Sequence, residues 1–194
     1  MVARSGLVDE TLRGRMVATA AEMTAEGGWA SVTMARLADL VGVSRQTVYN
    51  EIGTKKALAE ALILGELERF LAEVNAAFDA HPDDLPRALE TAIRAVLELA
   101  EDNPLLHAVV SATHGADTEL LPLLTTHSLP LLELAKAAVT ERVAAYEPSL
   151  GPDELDGAID MVVRVVLSHV MQPSGTPAAT AASLAFIARR VLAL

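Results

Sequence analysis

The sequence predicts an all-α protein, with an N-terminal three-helix domain holding a helix-turn-helix and a C-terminal helical domain behind it. Three observations carry this prediction. The 194 residues are 52% apolar but only 3% aromatic, with Ala and Leu abundant, a balance that favours helix because strands draw on β-branched and aromatic side chains. Apolar residues recur at three- and four-residue spacing between clusters of Gly and Pro. Between Thr33 and Leu58, two short periodic segments leave room for a turn of only about three or four residues, the spacing of a helix-turn-helix.

Each element has its own local signals. A first helix is expected from about Asp9 to Glu26, with Met16, Ala20 and Met23 on one face and Gly27-Gly28 ending it. The next carries Met34, Leu37, Ala38 and Val41 as an apolar stripe, with Thr33 as N-cap and Gly42 as stop signal. Ser44 caps a short third helix, Arg45 to roughly Asn50. A long helix from Lys55 carries Leu58, Leu62, Leu67, Phe70, Leu71, Val74 and Phe78 and stops before His81-Pro82-Asp83-Asp84. Pro86, at a first-turn position, opens the next helix through Ile93, Val96, Leu97 and Ala100, and Asn103-Pro104 breaks it. Short helices follow over Leu105 to about Ala112 and Thr118 to Leu124, around a loop at His114-Gly115-Ala116-Asp117. Leu132, Ala135, Val139 and Val143 mark one face of a helix from Leu129 to Tyr146, before a turn at Glu147 to Pro152. The last two helices are separated by Pro173 to Pro177. The first of them is apolar nearly all round from Ile159 to Val170, and a helix hydrophobic on every side is buried on every side. Asp160 and Arg164 are placed to pair four residues apart. The final helix has a small-residue stripe at Ala178, Ala181, Ala182 and Ala185 and a larger one at Leu184, Ile187, Val191 and Leu194.

The third helix presents Arg45, Gln46, Thr47, Tyr49 and Asn50. Gln and Asn bond adenine bidentately, Arg does so with guanine, and Thr and Tyr hydroxyls reach phosphates. Gly42-Val43-Ser44, then Thr47 and Tyr49, Lys55 and Leu58, with Gly28-Trp29 and Thr33 upstream, resemble the DNA-binding domain of the tetracycline-repressor (TetR) family of bacterial transcriptional regulators over residues 11 to 60. The resemblance implies phosphate contacts from Thr33, Thr47, Tyr49 and Lys55. It also implies that Arg45, Gln46 and Asn50 face bases or nearby backbone, with Ser44 beside them at the cap. Three positions depart from the family pattern. Glu51 stands where a phosphate-binding Tyr or His is common, Ile52 replaces a common Phe, and Thr24 replaces an aromatic.

Charge and composition bound the remaining possibilities. Net charge is −11. Residues 1 to 56 hold seven Lys or Arg against six Asp or Glu, one net positive charge, and the remaining chain holds eight against twenty. The acid is therefore expected to face away from DNA, and tight binding is expected only from a dimer. Cysteine is absent, which excludes disulfides and thiolate metal sites. His107, His114, His127 and His169 lack the pair spacing of helical metal ligands, so no metal or cofactor is expected. No catalytic motif of a hydrolase, phosphate-binding loop or zinc protease is present. No apolar run reaches the roughly 18 residues of a membrane span and no signal peptide is visible, so a soluble cytoplasmic protein is expected.

The resemblance further implies a division at residue 54, with 1–54 binding DNA and 55–194 binding ligand and dimerising. A small apolar ligand is expected against Val96, Leu99, Leu106, Val109, Val110, Leu124, Met161 and Val165, with Leu105, Leu120, Leu121 and Leu131 nearby. Val162, Val166, Val170, Leu184, Ile187 and Val191 are expected at the contact between two protomers. The functional expectation is a dimeric regulator, a repressor that binds palindromic operator DNA and is released by the ligand. The alternative is a helical carrier of acyl chains or other apolar molecules with a vestigial helix-turn-helix.

Overall fold

A computed structural model describes residues 11–111 and 129–192, with no side-chain placement for residues 108–111. The expected loop at His114 to Asp117, the expected helix from Thr118 to Leu124, and Leu194 lie outside the described residues. Among the described residues there are nine α-helices, one short 3-10 turn and no strand. They are α1 (Leu12–Gly27), the turn (Trp29–Ser31), α2 (Met34–Val41), α3 (Arg45–Ile52), α4 (Lys55–Ala80), α5 (Leu85–Glu101), α6 (Pro104–Ser111), α7 (Leu129–Ala144), α8 (Pro152–Met171) and α9 (Pro177–Val191). The chain divides into two compact units, Met1–Gly65 with Pro104–Thr126, and Glu66–Asn103 with His127–Leu194.

In the first unit, α1 packs on α2, α3 and α6, and α2 packs on α3. The helix boundaries follow from side-chain caps. Thr11 accepts from the Gly14 N–H, Thr33 from the Arg36 N–H, and Ser44 from the Thr47 N–H, each satisfying an N–H that the helix itself leaves unpaired. Gly42, at φ 78°, ends α2 in the left-handed conformation that only glycine adopts without strain. Helix α3 runs two residues past the expected Asn50 and stops at Gly53, φ 86°. Met16, Leu37, Val48 and Leu58 are fully buried. Thr24, in place of an aromatic, is also fully buried, and its hydroxyl donates to the Ala20 carbonyl at 2.7 Å, so no buried donor is left unmet.

The second unit is built around α5. Its apolar face, Leu85, Ala88, Leu89, Ala92, Val96 and Ala100, is buried. Helix α5 starts one residue earlier than Pro86, with Asp84 capping the Arg87 N–H. Its most extensive neighbour is α9, which meets it through small residues. Ala181, Ala185 and Ala188 are buried, whereas Ala178 and Ala182 face outward. Helix α7 ends at Ala144, short of the expected Tyr146, because the chain turns there into Glu147 at φ 49°. The Tyr146 hydroxyl donates to the His81 carbonyl at 2.7 Å, and its ring meets Phe78 edge-on at 5.9 Å, closing the end of α4 against the α7–α8 turn. Helix α8 begins at Pro152, where Glu154 accepts from the Gly151 N–H at 3.0 Å. Arg164 donates to Asp160 at 2.7 Å as the spacing predicts, and Lys136 of α7 joins the pair at 3.4 Å. The guanidinium bond holds the Asp160 carboxyl below the usual carboxylate range.

Candidate functional site

The candidate DNA-facing surface in the first unit is built on two buried anchors. Val48, fully buried, and Ile52 fix one side of α3 to the unit's interior. This leaves Arg45, Gln46, Tyr49 and Asn50 exposed and Thr47 half-buried. Tyr49 is 51% exposed, so its ring and hydroxyl are open to solvent beside the polar side chains. The Gln46 amide donates to the Asn50 side chain at 2.9 Å, one turn apart, so the two base-reading candidates are already aligned on one face. The Ser44 and Thr47 hydroxyls lie 2.8 Å apart at the start of the helix. Thr33 is exposed at the start of α2, its oxygen serving as the cap.

Lys55 is held differently. Its ammonium donates to the Trp29 carbonyl at 3.1 Å and lies 4.8 Å from the centre of the Trp29 ring, a cation–π contact. Two further cations, unremarked in the sequence, are also spent on backbone carbonyls. Arg13 donates to the Glu51 carbonyl at 2.6 Å, and Arg15 to the Val41 carbonyl at 3.2 Å. Both acceptors lie in the last turn of a motif helix, where a positive charge is favoured by the helix dipole. Glu51 is exposed, with its carboxylate on the same helix as Arg45, Gln46 and Asn50.

The second unit contains a cavity of about 120 Å³. Its walls come from Leu67, Phe70, Leu71, Val74 and Phe78 of α4, from Leu89, Ala92, Ile93 and Val96 of α5, from Ala135 and Val139 of α7, and from Val162, Val163, Val166, Leu167 and Val170 of α8. Every lining side chain is apolar. Of the expected ligand contacts, Val96 is among them. Leu99, Met161 and Val165 are not, and Leu106, like Leu105, is buried within the first unit. Leu124, Leu120 and Leu121 lie outside the described residues, as do the side chains of Val109 and Val110. Val162, Val166 and Val170, expected at the protomer contact, line the cavity. Helical periodicity pointed to α4 as an apolar stripe, but nothing local marks which neighbour that stripe faces.

The remaining residues expected at the contact are on α9. Leu184 is half-buried, packed towards Ile93, Leu97 and Ala181, while Ile187 is 49% and Val191 37% exposed. Phe186, 59% exposed beside Arg190, escaped notice in the sequence, and Met161 and Leu167 of α8 are also exposed. Helix α8 was expected to be buried all round, but a single chain leaves part of it open.

A buried-anchored helix with an exposed hydrogen-bonding face, reached by a three-residue turn from its partner helix, together with a separate helical unit holding an apolar cavity, defines a helix-turn-helix DNA-binding regulator. Residues 16–62 match the family model for bacterial regulatory proteins of the tetR family, and residues 84–190 match that for the bacterial tetracycline repressor C-terminal domain. The chain belongs to the TetR family of transcriptional regulators. It is 28% identical over 157 residues to the HTH-type transcriptional regulator AlkX of Mycobacterium tuberculosis, covering 81% of this chain and 74% of that protein. Among solved structures it is similar to the TetR-family repressor AlkX from a Dietzia species, implicated in biodegradation of n-alkanes, with a TM-score of 0.75 at 26% identity over 97% of this chain and 99% of that one. The fatty acid degradation regulator FadR of Bacillus halodurans shares the fold, with a TM-score of 0.58 at 18% identity over 96% of each chain. No helix among the described residues is long and apolar enough to cross a membrane.

Proposed function

We propose that the protein is a cytoplasmic, dimeric repressor that binds palindromic operator DNA and is released when a small apolar molecule occupies the cavity of the second unit. The observation that carries the reading is the exposed polar face of α3 standing on buried Val48 and Ile52. Each protomer sets Arg45, Gln46 and Asn50 against base edges, with Thr33, Ser44, Thr47 and Tyr49 on the backbone. Lys55 holds the start of α4 on Trp29 behind them. The proposed division of labour leaves DNA to the helices before Lys55, and ligand and dimer contacts to the chain that follows. Two reading helices reach successive major grooves when about 34–36 Å apart. A ligand preferring another spacing lowers operator affinity by its differential binding energy, about 1–3 kcal/mol in typical allosteric couplings.

The wholly apolar cavity supports a hydrocarbon chain as the ligand, and the n-alkane connection of the Dietzia repressor agrees with it. The exposed Phe186, Ile187 and Val191 support α9, with α8, as the protomer contact. The test is Ile187→Glu, which places a carboxylate on that face at a cost of several kcal/mol if it is buried unpaired, roughly 2–7 by transfer scales for polar groups. Light scattering is expected to give monomers, and binding to a palindrome selected from random DNA is expected to be lost with helicity retained. A folded monomer with undiminished operator affinity refutes the dimer mechanism. A wild-type protein that binds n-octane but selects no DNA returns the protein to the carrier reading.

A further inference from the structure

We propose that the hydrogen bond between Glu66 and Asn103 couples cavity occupancy to operator affinity, an inference that rests on the ligand-released reading above. The segment 66–103 of the second unit begins at one of these residues and ends at the other. At both ends the chain continues into segments of the first unit, back along α4 towards Lys55 and forward into α6 at Pro104. The two end residues are bonded to each other. Asn103 Nδ2 donates to Glu66 Oε2 at 2.5 Å, and Arg69 Nη1, nearly one turn further along α4, reaches the two carboxylate oxygens at 3.0 and 3.2 Å.

Burial makes this contact unusual. Glu66 is 8% and Asn103 2% exposed, and with Thr24 they make up the buried polar and charged residues among those described. A buried carboxylate is costly unless paired and hydrogen-bonded, and an apolar pair of similar volume is often as stable. Retaining the polar pair therefore adds direction rather than stability: it fixes one separation between the start of the 66–103 segment and its end. The cavity begins beside it. Leu67, next to Glu66, is a wall residue, and Ile93 and Val96 line the same cavity from α5, whose end Asn103 follows. A ligand that parts the α4 and α5 walls works against this bond. On the other side, α6 packs on α1, which carries the Arg13 and Arg15 contacts to the ends of α3 and α2.

The experiment measures operator dissociation constants for the full-length protein with and without n-octane. Octane binding is followed separately by displacement of N-phenyl-1-naphthylamine. In the wild type, octane is expected to raise the operator dissociation constant about tenfold, inside the usual range of allosteric coupling. Replacing both partners together, Glu66→Leu with Asn103→Leu, removes the bond without leaving either of its two members facing an unmet partner. That variant is expected to bind octane and operator normally but to respond less than about twofold. Asn103→Ser, whose shorter side chain does not reach Glu66 while Arg69 still pairs the carboxylate, is expected to lose the response too. Glu66→Gln keeps an acceptor for Asn103 and is expected to retain it. A full response in either folded variant lacking the bond overturns the proposal and leaves ligand release standing. A wild type whose operator affinity ignores octane overturns ligand release itself, and this coupling with it.

Discussion

Lys55→Met distinguishes a phosphate contact from an internal strut. The family resemblance assigns this lysine to the DNA backbone, whereas here its ammonium is bonded to the Trp29 carbonyl at 3.1 Å and faces the indole at 4.8 Å. Methionine keeps most of the aliphatic stem and removes the charge. A hydrogen bond from a charged donor contributes about 1.5–3 kcal/mol and a cation–π contact at a partly exposed site about 0.5–1. Lys55 is half-exposed, so solvent screening reduces both, and a loss near 2 kcal/mol is expected in chemical denaturation. The DNA measurement separates the roles. Each neutralised phosphate adds about 0.9 to the slope of log affinity against log salt, so one contact in each half-site would take about 1.8 from the slope when removed. The strut predicts a protein destabilised by about 2 kcal/mol whose salt slope is unchanged. Anisotropy titrations of one palindrome across a salt series decide it. A slope reduced by about 1.8 with stability unchanged would refute the strut and restore the phosphate contact.

Other substitutions test the reading surface and the second unit. Glu51→Gln removes an exposed carboxylate from the reading helix and should tighten binding to all sites, most at about 0.01 M salt, where the Debye length is near 30 Å rather than about 8 Å. Lost base discrimination instead would mean that the carboxylate reads a cytosine. Tyr146→Phe keeps the edge-on contact with Phe78 and loses the bond to the His81 carbonyl, so a destabilisation of about 1 kcal/mol is expected in urea unfolding. A variant as stable as wild type would show that water replaces the hydroxyl there at no cost.

The legible parts of this fold are those set within a few residues. The caps at Thr33 and Ser44, the stop at Gly42 and the apolar stripe of α2 are all interactions within one or two turns, and each stands where the sequence places it. What was not legible depends on contacts distant in sequence. Arg13 and Arg15 read locally as surface charge, and their acceptors lie 38 and 26 residues away. Lys55 meets Trp29 across another 26 residues. On α8, Met161, Val162, Val163, Val165, Val166 and Leu167 carry little polar punctuation to mark a face. Periodicity could not tell that Val162, Val163 and Val166 turn to the cavity while Met161 stays exposed. The walls supplied by α4 were hidden for the same reason: a stripe from Leu67 to Phe78 shows that the helix is covered, not by what.

The disposition of charge in the first unit decides how this protein has to achieve affinity. Residues 1 to 56 hold only one net positive charge, which looks inadequate for DNA, and the structure turns part of their cationic set inward: the donors of Arg13, Arg15 and Lys55 are engaged by main-chain carbonyls. On α3 itself, Arg45 is offset by Glu51, so this helix has no net charge. Its remaining exposed groups are neutral hydrogen-bonding side chains, Gln46, Tyr49 and Asn50, with Thr47 at the first turn. Such groups discriminate between bases but release few counterions, so under the proposed reading each half-site alone is selective and weak. Joining two on one body makes the second binding event intramolecular and multiplies affinity without new contacts. It also makes affinity depend on the distance between the reading helices, because a geometry that prevents both from engaging loses the gain. On the proposed dimeric, ligand-released reading, a small change of spacing suffices for release, since a ligand needs only to undo the second engagement.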